Sequence, residues 1–254
     1  MTEPSFDLSG KVAVVTGGSR GIGRAIALGL ATYGADVVVA SRKQEDLDSV
    51  AGEIRALGRK AAAIATHMRN REDIDRLVAA TLEQFGEIDI LVNNAGTNPY
   101  FGPLVDIEER TWDQIMTVNL KGYFLLAQSV AKGMMERKSG NIINVASVGG
   151  KRASPGLGCY SISKAGVIML TQVLAQELGE HGIRVNAIAP GIIQTKFAQA
   201  LWENEAILQR TLTQTPLGRI GRAEEMAGVC VWLASDASSY VTGQTIVLDG
   251  GQSA

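Results

Sequence analysis

Tyr160 and Lys164 stand four residues apart in an apolar, helix-periodic run. That spacing puts both side chains on one helix face. A free phenol titrates near 10, too high for proton transfer at neutral pH. A neighbouring ammonium stabilises the phenolate and tunes the pair for general acid–base work on a carbonyl or alcohol oxygen. Such a pair is common on helix surfaces, so its meaning depends on what else converges there. Ser147 follows the apolar run Asn141–Ala146. A hydroxyl at the C-terminal end of a strand lies where open α/β sheets bind ligands, and it suits a carbonyl oxygen.

A second chemistry is written near the start. Lys11–Thr16 reads as a strand, and Gly17-Gly18-Ser19-Arg20-Gly21-Ile22-Gly23 follows before a helical run to Tyr33. Glycines at 17, 21 and 23 allow a tight turn and close backbone approach. The helix start behind them offers amide donors and a positive dipole end to a pyrophosphate. Ser19, Arg20 and Ile22, between the glycines, are expected at the same dinucleotide. Sites that use NAD place an acid on the adenosine ribose at the end of the second strand. Here Val37–Ala40 runs into Ser41-Arg42-Lys43. A hydroxyl and guanidinium there suit a 2′-phosphate, which a carboxylate would repel. The expected cofactor is NADP(H), with NAD(H) as the alternative.

These groups need a scaffold. Continuous apolar runs at Val12–Thr16, Val37–Ala40, Ala61–Ala65, Ile88–Val92, Asn141–Ala146, Arg184–Ile188 and Thr245–Leu248 read as strands covered on both faces. Helical patterns separate them. Asp106 with Glu109 suggests a capping box. Gly34, Gly58, Gly86, Gly140 and Gly182 each fall between a helical run and the next strand, where glycine commonly ends a helix. Repeated strand–helix–strand units predict an α/β, single-domain, doubly wound Rossmann fold with a roughly seven-stranded parallel sheet. The runs 118–135 and 162–178 are apolar around more than one face, so their outer sides are expected to meet another copy, as a dimer or homotetramer.

Composition closes other routes. The 254 residues are 46% hydrophobic, which argues against disorder, and the net charge of -2 gives no footprint for nucleic acid. Cys159 and Cys230 are too few for a disulfide scaffold and have no metal spacing, so no metal is expected. Glu3 and Asp7, with no apolar segment beside them, predict no signal peptide, and no run reaches the ~18 residues of a membrane span. The expected location is cytoplasmic.

Together the motifs resemble the short-chain dehydrogenase/reductase family nearly end to end. They are Thr16-Gly17-x-x-x-Gly21-Ile22-Gly23, Asn93-Asn94-Ala95-Gly96, Asn119, Ser147, Tyr160-x-x-x-Lys164, Asn186 with Pro190-Gly191-x-x-x-Thr195, and Asp249-Gly250-Gly251. The resemblance implies an oxidoreductase moving a hydride between NADP(H) and a carbonyl or secondary alcohol. It implies Tyr160 as acid/base, Lys164 as its pKa modifier and ribose ligand, Ser147 on the substrate oxygen, and Asn119 positioning a proton-relay water. Asn93, Ala95 and Gly96 are then expected along the ribose. Pro190, Gly191, Ile193 and Thr195 are expected beside the nicotinamide. Where the family usually has an aspartate near the adenine, this chain has His67 and Met68.

The resemblance also implies a helical lid around 192–215. Phe197 and Trp202 on it, with Tyr100, Pro155 and Leu157, are the expected substrate walls. Within the family, Ser41-Arg42-Lys43-Gln44, His67 and Asn98-Pro99-Tyr100-Phe101-Gly102 are similar to NADP-dependent carbonyl and retinal reductases. Alternatives are a 3-oxoacyl-thioester reductase, a polyol/gluconate-type dehydrogenase and, remotely, a non-catalytic dinucleotide-binding subunit. Lys151 and Arg152, just past Ser147, could favour an anionic group.

Overall fold

The central strands of this chain are largely apolar and buried because both their faces are covered. In the computed structural model, which describes residues 5–254, seven parallel strands form one sheet in the order β3-β2-β1-β4-β5-β6-β7. They are β1 Val12–Thr16, β2 Asp36–Ser41, β3 Ala61–Ala65, β4 Ile90–Asn93, β5 Gly140–Val145, β6 Ile183–Pro190 and β7 Thr245–Leu248. The crossover helices are α1 Gly21–Thr32, α2 Gln44–Ala56, α3 Arg71–Phe85, α4 Glu109–Met116, α5 Gly122–Arg137 and α6 Gly158–Leu178; α7 Gln199–Trp202, α8 Glu205–Gln214 and α9 Ala227–Ala234 follow β6. Glu3, part of the leader reading, lies outside the described residues.

The side-chain period of two sorts each strand between two cores. Ala13, Val15, Val37, Val39, Ile90 and Val92 face α1, α2 and α9. Val14, Val38, Leu91 and Ile142 face α3, α5 and α6. Chain direction reverses its progress between β1 and β4, which makes that gap the topological switch point. Among the described residues, no helix is long and apolar enough to cross a membrane.

Two local expectations are corrected. Gly140 does not end a helix. Lys138 takes the left-handed position after α5 (φ 53°), and Gly140 opens β5 instead. A side chain at Gly140 would collide with Met134, so its smallness serves packing. Asp106 does not cap α4 either. It closes a 3₁₀ turn, Leu104–Asp106, and α4 starts after Glu108 with no side-chain cap. By contrast Gly34, Gly58, Gly86 and Gly182 all have positive φ between a helical segment and the next strand.

Candidate active site

The turn after β1 is built around a space that only glycine leaves open. A Cβ on Gly17 would sit 2.6 Å from Asn94 Nδ2, and one on Gly23 would strike the Gly17 carbonyl. Asn94 holds this turn from β4, donating from Nδ2 to the carbonyls of Thr16 (2.8 Å) and Gly17 (3.3 Å). Thr16 Oγ1 accepts from the Asn94 and Ala95 amides, which locks the two strand ends together. Helix α1 begins here with Arg20 as its N-cap, without a side-chain cap and without an acid in its first turn. Its leading amides thus remain available to an anion.

A cavity of about 1250 Å³ runs along the C-terminal ends of the strands from this turn. One end is lined by Ser41, Arg42, Lys43, His67, Met68 and Arg69. Burial, and then the cations Arg42 and Arg69, hold His67 below its usual range. Its Nδ1 accepts from the Arg69 amide at 3.2 Å. Arg69 is a cation the sequence reading missed. Asp46 is the one carboxylate on the described cavity lining. A glycine cradle, free helix amides and a cation cluster fit a phosphorylated dinucleotide carrying a 2′-phosphate.

At the other end, three elements converge. Ser147 follows β5 and starts a 3₁₀ turn, Val148–Gly150, where its Oγ accepts from the Gly149 amide at 3.1 Å. That uses acceptor capacity and leaves the hydroxyl proton for another partner. Gly150 then packs on the backbone of α6: a Cβ there would lie 2.6 Å from the Lys164 carbonyl carbon. This contact fixes Ser147 against the helix that bears Tyr160 and Lys164. Phe197 reaches the Tyr160 ring from the far wall, with centroids 6.1 Å apart.

The ionisation balance differs from the expected one. Burial pushes Tyr160 up to about 12, with the Ser147 hydrogen bond pulling the other way. Burial also pushes Lys164 down to about 7. Lys164 Nζ donates to the Val145 carbonyl at 2.7 Å and Tyr123 Oη at 3.3 Å, and lies 5.9 Å from the Tyr160 ring centre. In the protein alone, desolvation is the larger cause for Tyr160 and the cause for Lys164.

Gly17, Ser19, Arg20, Gly21, Ile22, Gly23, Ala95, Gly96, Pro190, Gly191, Ile193 and Thr195 line the cavity, as do Tyr100, Pro155 and Leu157. Three expected residues do not lie on that lining. Asn93 is fully buried and turns inward, donating to Asn144 Oδ1 at 3.0 Å. Alternation along β4 sends its side chain to the core and leaves the wall to Asn94. Asn119, in a π-helical turn Thr117–Lys121, is also fully buried. Its amide bridges both backbone polar groups of Thr97 and Ser163 Oγ. Trp202 turns back to donate from Nε1 to the Thr195 carbonyl at 3.0 Å, so it ties down the 192–215 segment rather than walling the substrate space. Lys196, Arg210 and Gln214 line the cavity there instead. Nothing in their spacing marks them, because they come from an irregular segment and a short helix.

The parallel sheet, switch-point cradle and Ser–Tyr–Lys cluster define a dinucleotide-dependent oxidoreductase. Residues 17–253 match the family model described as enoyl-(acyl carrier protein) reductase. The chain is 43% identical over 244 residues to dehydrogenase/reductase SDR family member 4 of Oryctolagus cuniculus, covering 96% of this chain and 94% of that protein. It is likewise 43% identical to the 3-oxoacyl-[acyl-carrier-protein] reductase of Thermotoga maritima, covering 96% and 98%. A gluconate 5-dehydrogenase from Burkholderia cenocepacia, solved with NADP and tartrate, superposes with a TM-score of 0.93 at 37% identity, covering 97% and 96% of the two chains. The chain belongs to the short-chain dehydrogenase/reductase family.

Proposed function

We propose that this chain is an NADP(H)-dependent reductase of carbonyl compounds. The observation that carries the reading is the convergence of Ser147, Tyr160 and Lys164 on one cavity with the glycine cradle. When bound, NADP(H) supplies the hydride. Ser147 turns its hydroxyl from Tyr160 to the substrate oxygen and orients the carbonyl. Tyr160 delivers a proton to that oxygen as negative charge develops, against a burial that raises the phenol to about 12. Lys164 stabilises the resulting phenolate and holds the ribose. Asn119 fixes the Thr97 segment that borders the cavity, and a relay water beside it completes the proton path. The lid 192–215 shelters the substrate with Phe197. The test is NADPH oxidation with a panel of ketones, quinones, 3-oxoacyl thioesters and sugars. Failure with every carbonyl, and with polyols and NADP in the oxidative direction, would leave only a non-catalytic subunit.

Gly17–Gly23 take the pyrophosphate, with Ser19, Arg20 and Ile22. Ser41, Arg42 and Arg69 take the 2′-phosphate, and His67 and Met68 flank the adenine. Arg42→Ala is expected to cut kcat/KM for NADPH about 10- to 100-fold, the cost of a charge-assisted hydrogen bond. NADH should be little affected, and an equal loss with both cofactors would refute the assignment.

A second reading narrows the substrate. Arg152, Lys196 and Arg210 line the substrate end from three segments, and no described salt bridge uses them. An anionic carbonyl compound, as a 3-oxoacyl-thioester or gluconate-type activity would use, fits this field. Arg210→Gln should then raise KM for a keto acid several-fold and leave its neutral amide unchanged.

We also read the protein as a cytoplasmic homo-oligomer. Both cysteines are unpaired and buried. Ile162, Met169 and Val173 on α6 and Phe124 on α5 are each at least 40% exposed, an apolar face suited to a second copy. Met169→Glu is expected to shift the protein toward smaller species in sedimentation, and a wild-type monomer at micromolar concentration would remove the reading.

A further inference from the structure

Tyr123 is the largest side chain in the fully buried core, and its hydroxyl is shared between Lys164 and the Val145 carbonyl. It stands on the second position of α5, with its ring packed against Ala146, Val167 and Ala187. Oη donates toward the Val145 carbonyl at 3.4 Å and accepts from Lys164 Nζ at 3.3 Å. Lys164 Nζ also donates to that same carbonyl at 2.7 Å, and it lies 5.0 Å from the Tyr123 ring centre. The three groups close a triangle on the core side of the ammonium.

We propose that Tyr123 is a positioning residue for Lys164: its hydroxyl and ring, with the Val145 carbonyl, anchor the ammonium from behind and aim its remaining N–H toward Tyr160 and the cavity. This rests on the catalytic reading of Tyr160 and Lys164 given above. An ammonium has three donors and no acceptor, so two anchors leave one proton for the site. A phenylalanine at 123 would fill the same core without supplying an acceptor, so packing alone does not require a tyrosine.

The electrostatics agree with the geometry. Among the described residues, the titratable groups facing Nζ are Tyr123 from α5 and Tyr160 from α6. The neighbouring parts of β5 and the Gly96 segment present backbone, and no carboxylate pairs with Lys164. Burial raises Tyr123 well above the ordinary phenol range, so it remains a neutral acceptor throughout the working pH range. In a site whose desolvation opposes the charged lysine, a neutral acceptor and a π face are the groups that favour the ammonium.

The test is Tyr123→Phe in the full-length enzyme. Phenylalanine keeps the ring and removes the hydroxyl, which is Lys164's acceptor and a long-range donor to the Val145 carbonyl that Lys164 also holds. The pH profile of kcat/KM for carbonyl reduction with NADPH should keep its shape. Its alkaline limb, where Lys164 loses its proton, should move down by about one pH unit. At pH 8 this appears as a loss of about tenfold that largely disappears at pH 6. A limb that stays in place, with an equal loss at all pH values, overturns the proposal. A second readout does not depend on activity. Tyr123→Phe should destabilise the wild-type background more than a Lys164→Met background, and an equal cost in both overturns it. Undiminished activity of Lys164→Met itself would instead sink the underlying catalytic reading.

Discussion

Replacing Tyr160 by phenylalanine is expected to lower kcat/KM for carbonyl reduction by about 10²- to 10⁴-fold, the range general acid–base catalysis supplies. The reasoning is local. Burial holds the phenol protonated, to about pH 12, so at neutral pH it is a proton donor facing the Ser147 hydroxyl. Phenylalanine fills the same volume against Phe197 and Gly149, so the cavity wall survives. The glycine cradle and the cation cluster are on other elements, so the dissociation constant for NADPH, read by fluorescence quenching, should change little. Activity within tenfold of wild type would remove Tyr160 from the role. A parallel loss of NADPH binding would instead mean that the ring shapes the dinucleotide site.

How far the sequence carried this picture depends on what kind of constraint each residue answers to. The central strand Val12–Thr16 was legible to the residue, because a strand covered on both faces is buried throughout. Gly34, Gly58 and Gly86 were legible because positive φ selects glycine after a helix. Gly140 misled because two constraints select glycine, and there the one acting was contact with Met134. Asp106 misled because a capping pair specifies a spacing, whereas the chain spends those residues on a 3₁₀ turn.

Within the site, the groups marked by backbone geometry or helix spacing lie on the cavity lining: Gly17, Gly21, Tyr160 and Lys164. Asn93 and Trp202 were expected at the ligand by kinship of motif, yet their side chains are committed to the frame around it. An asparagine or tryptophan in sequence does not reveal which way it faces. Nor was the pKa balance legible. The proximity of Tyr160 and Lys164 follows from spacing, but the sign of each shift depends on burial, a property of the whole fold.

That burial carries a cost to stability, and Lys164→Met should expose it. Reduction is expected to fall about 10²-fold or more in this variant, while the protein becomes more stable near neutral pH. Lys164 is 3% exposed, and burial lowers its pKa from 10.5 to about 7. The folded protein therefore binds this proton only below about pH 7, whereas the unfolded chain binds it below about 10.5. Between those limits the unfolded state holds more protons, so wild-type stability rises with pH. Below about pH 7 the full penalty of a buried ammonium remains, on the order of a few kcal/mol. Methionine removes the charge and keeps the length. The Val145 carbonyl keeps the Tyr123 hydroxyl as a donor at 3.4 Å, which limits the loss. Without dinucleotide, Tm should rise by roughly 5 °C at pH 6, by a smaller amount at pH 9, and hardly at all near pH 10.5. A gain independent of pH would point to packing instead of charge. A fall in Tm at pH 6 would mean that the ammonium's hydrogen bonds outweigh its desolvation.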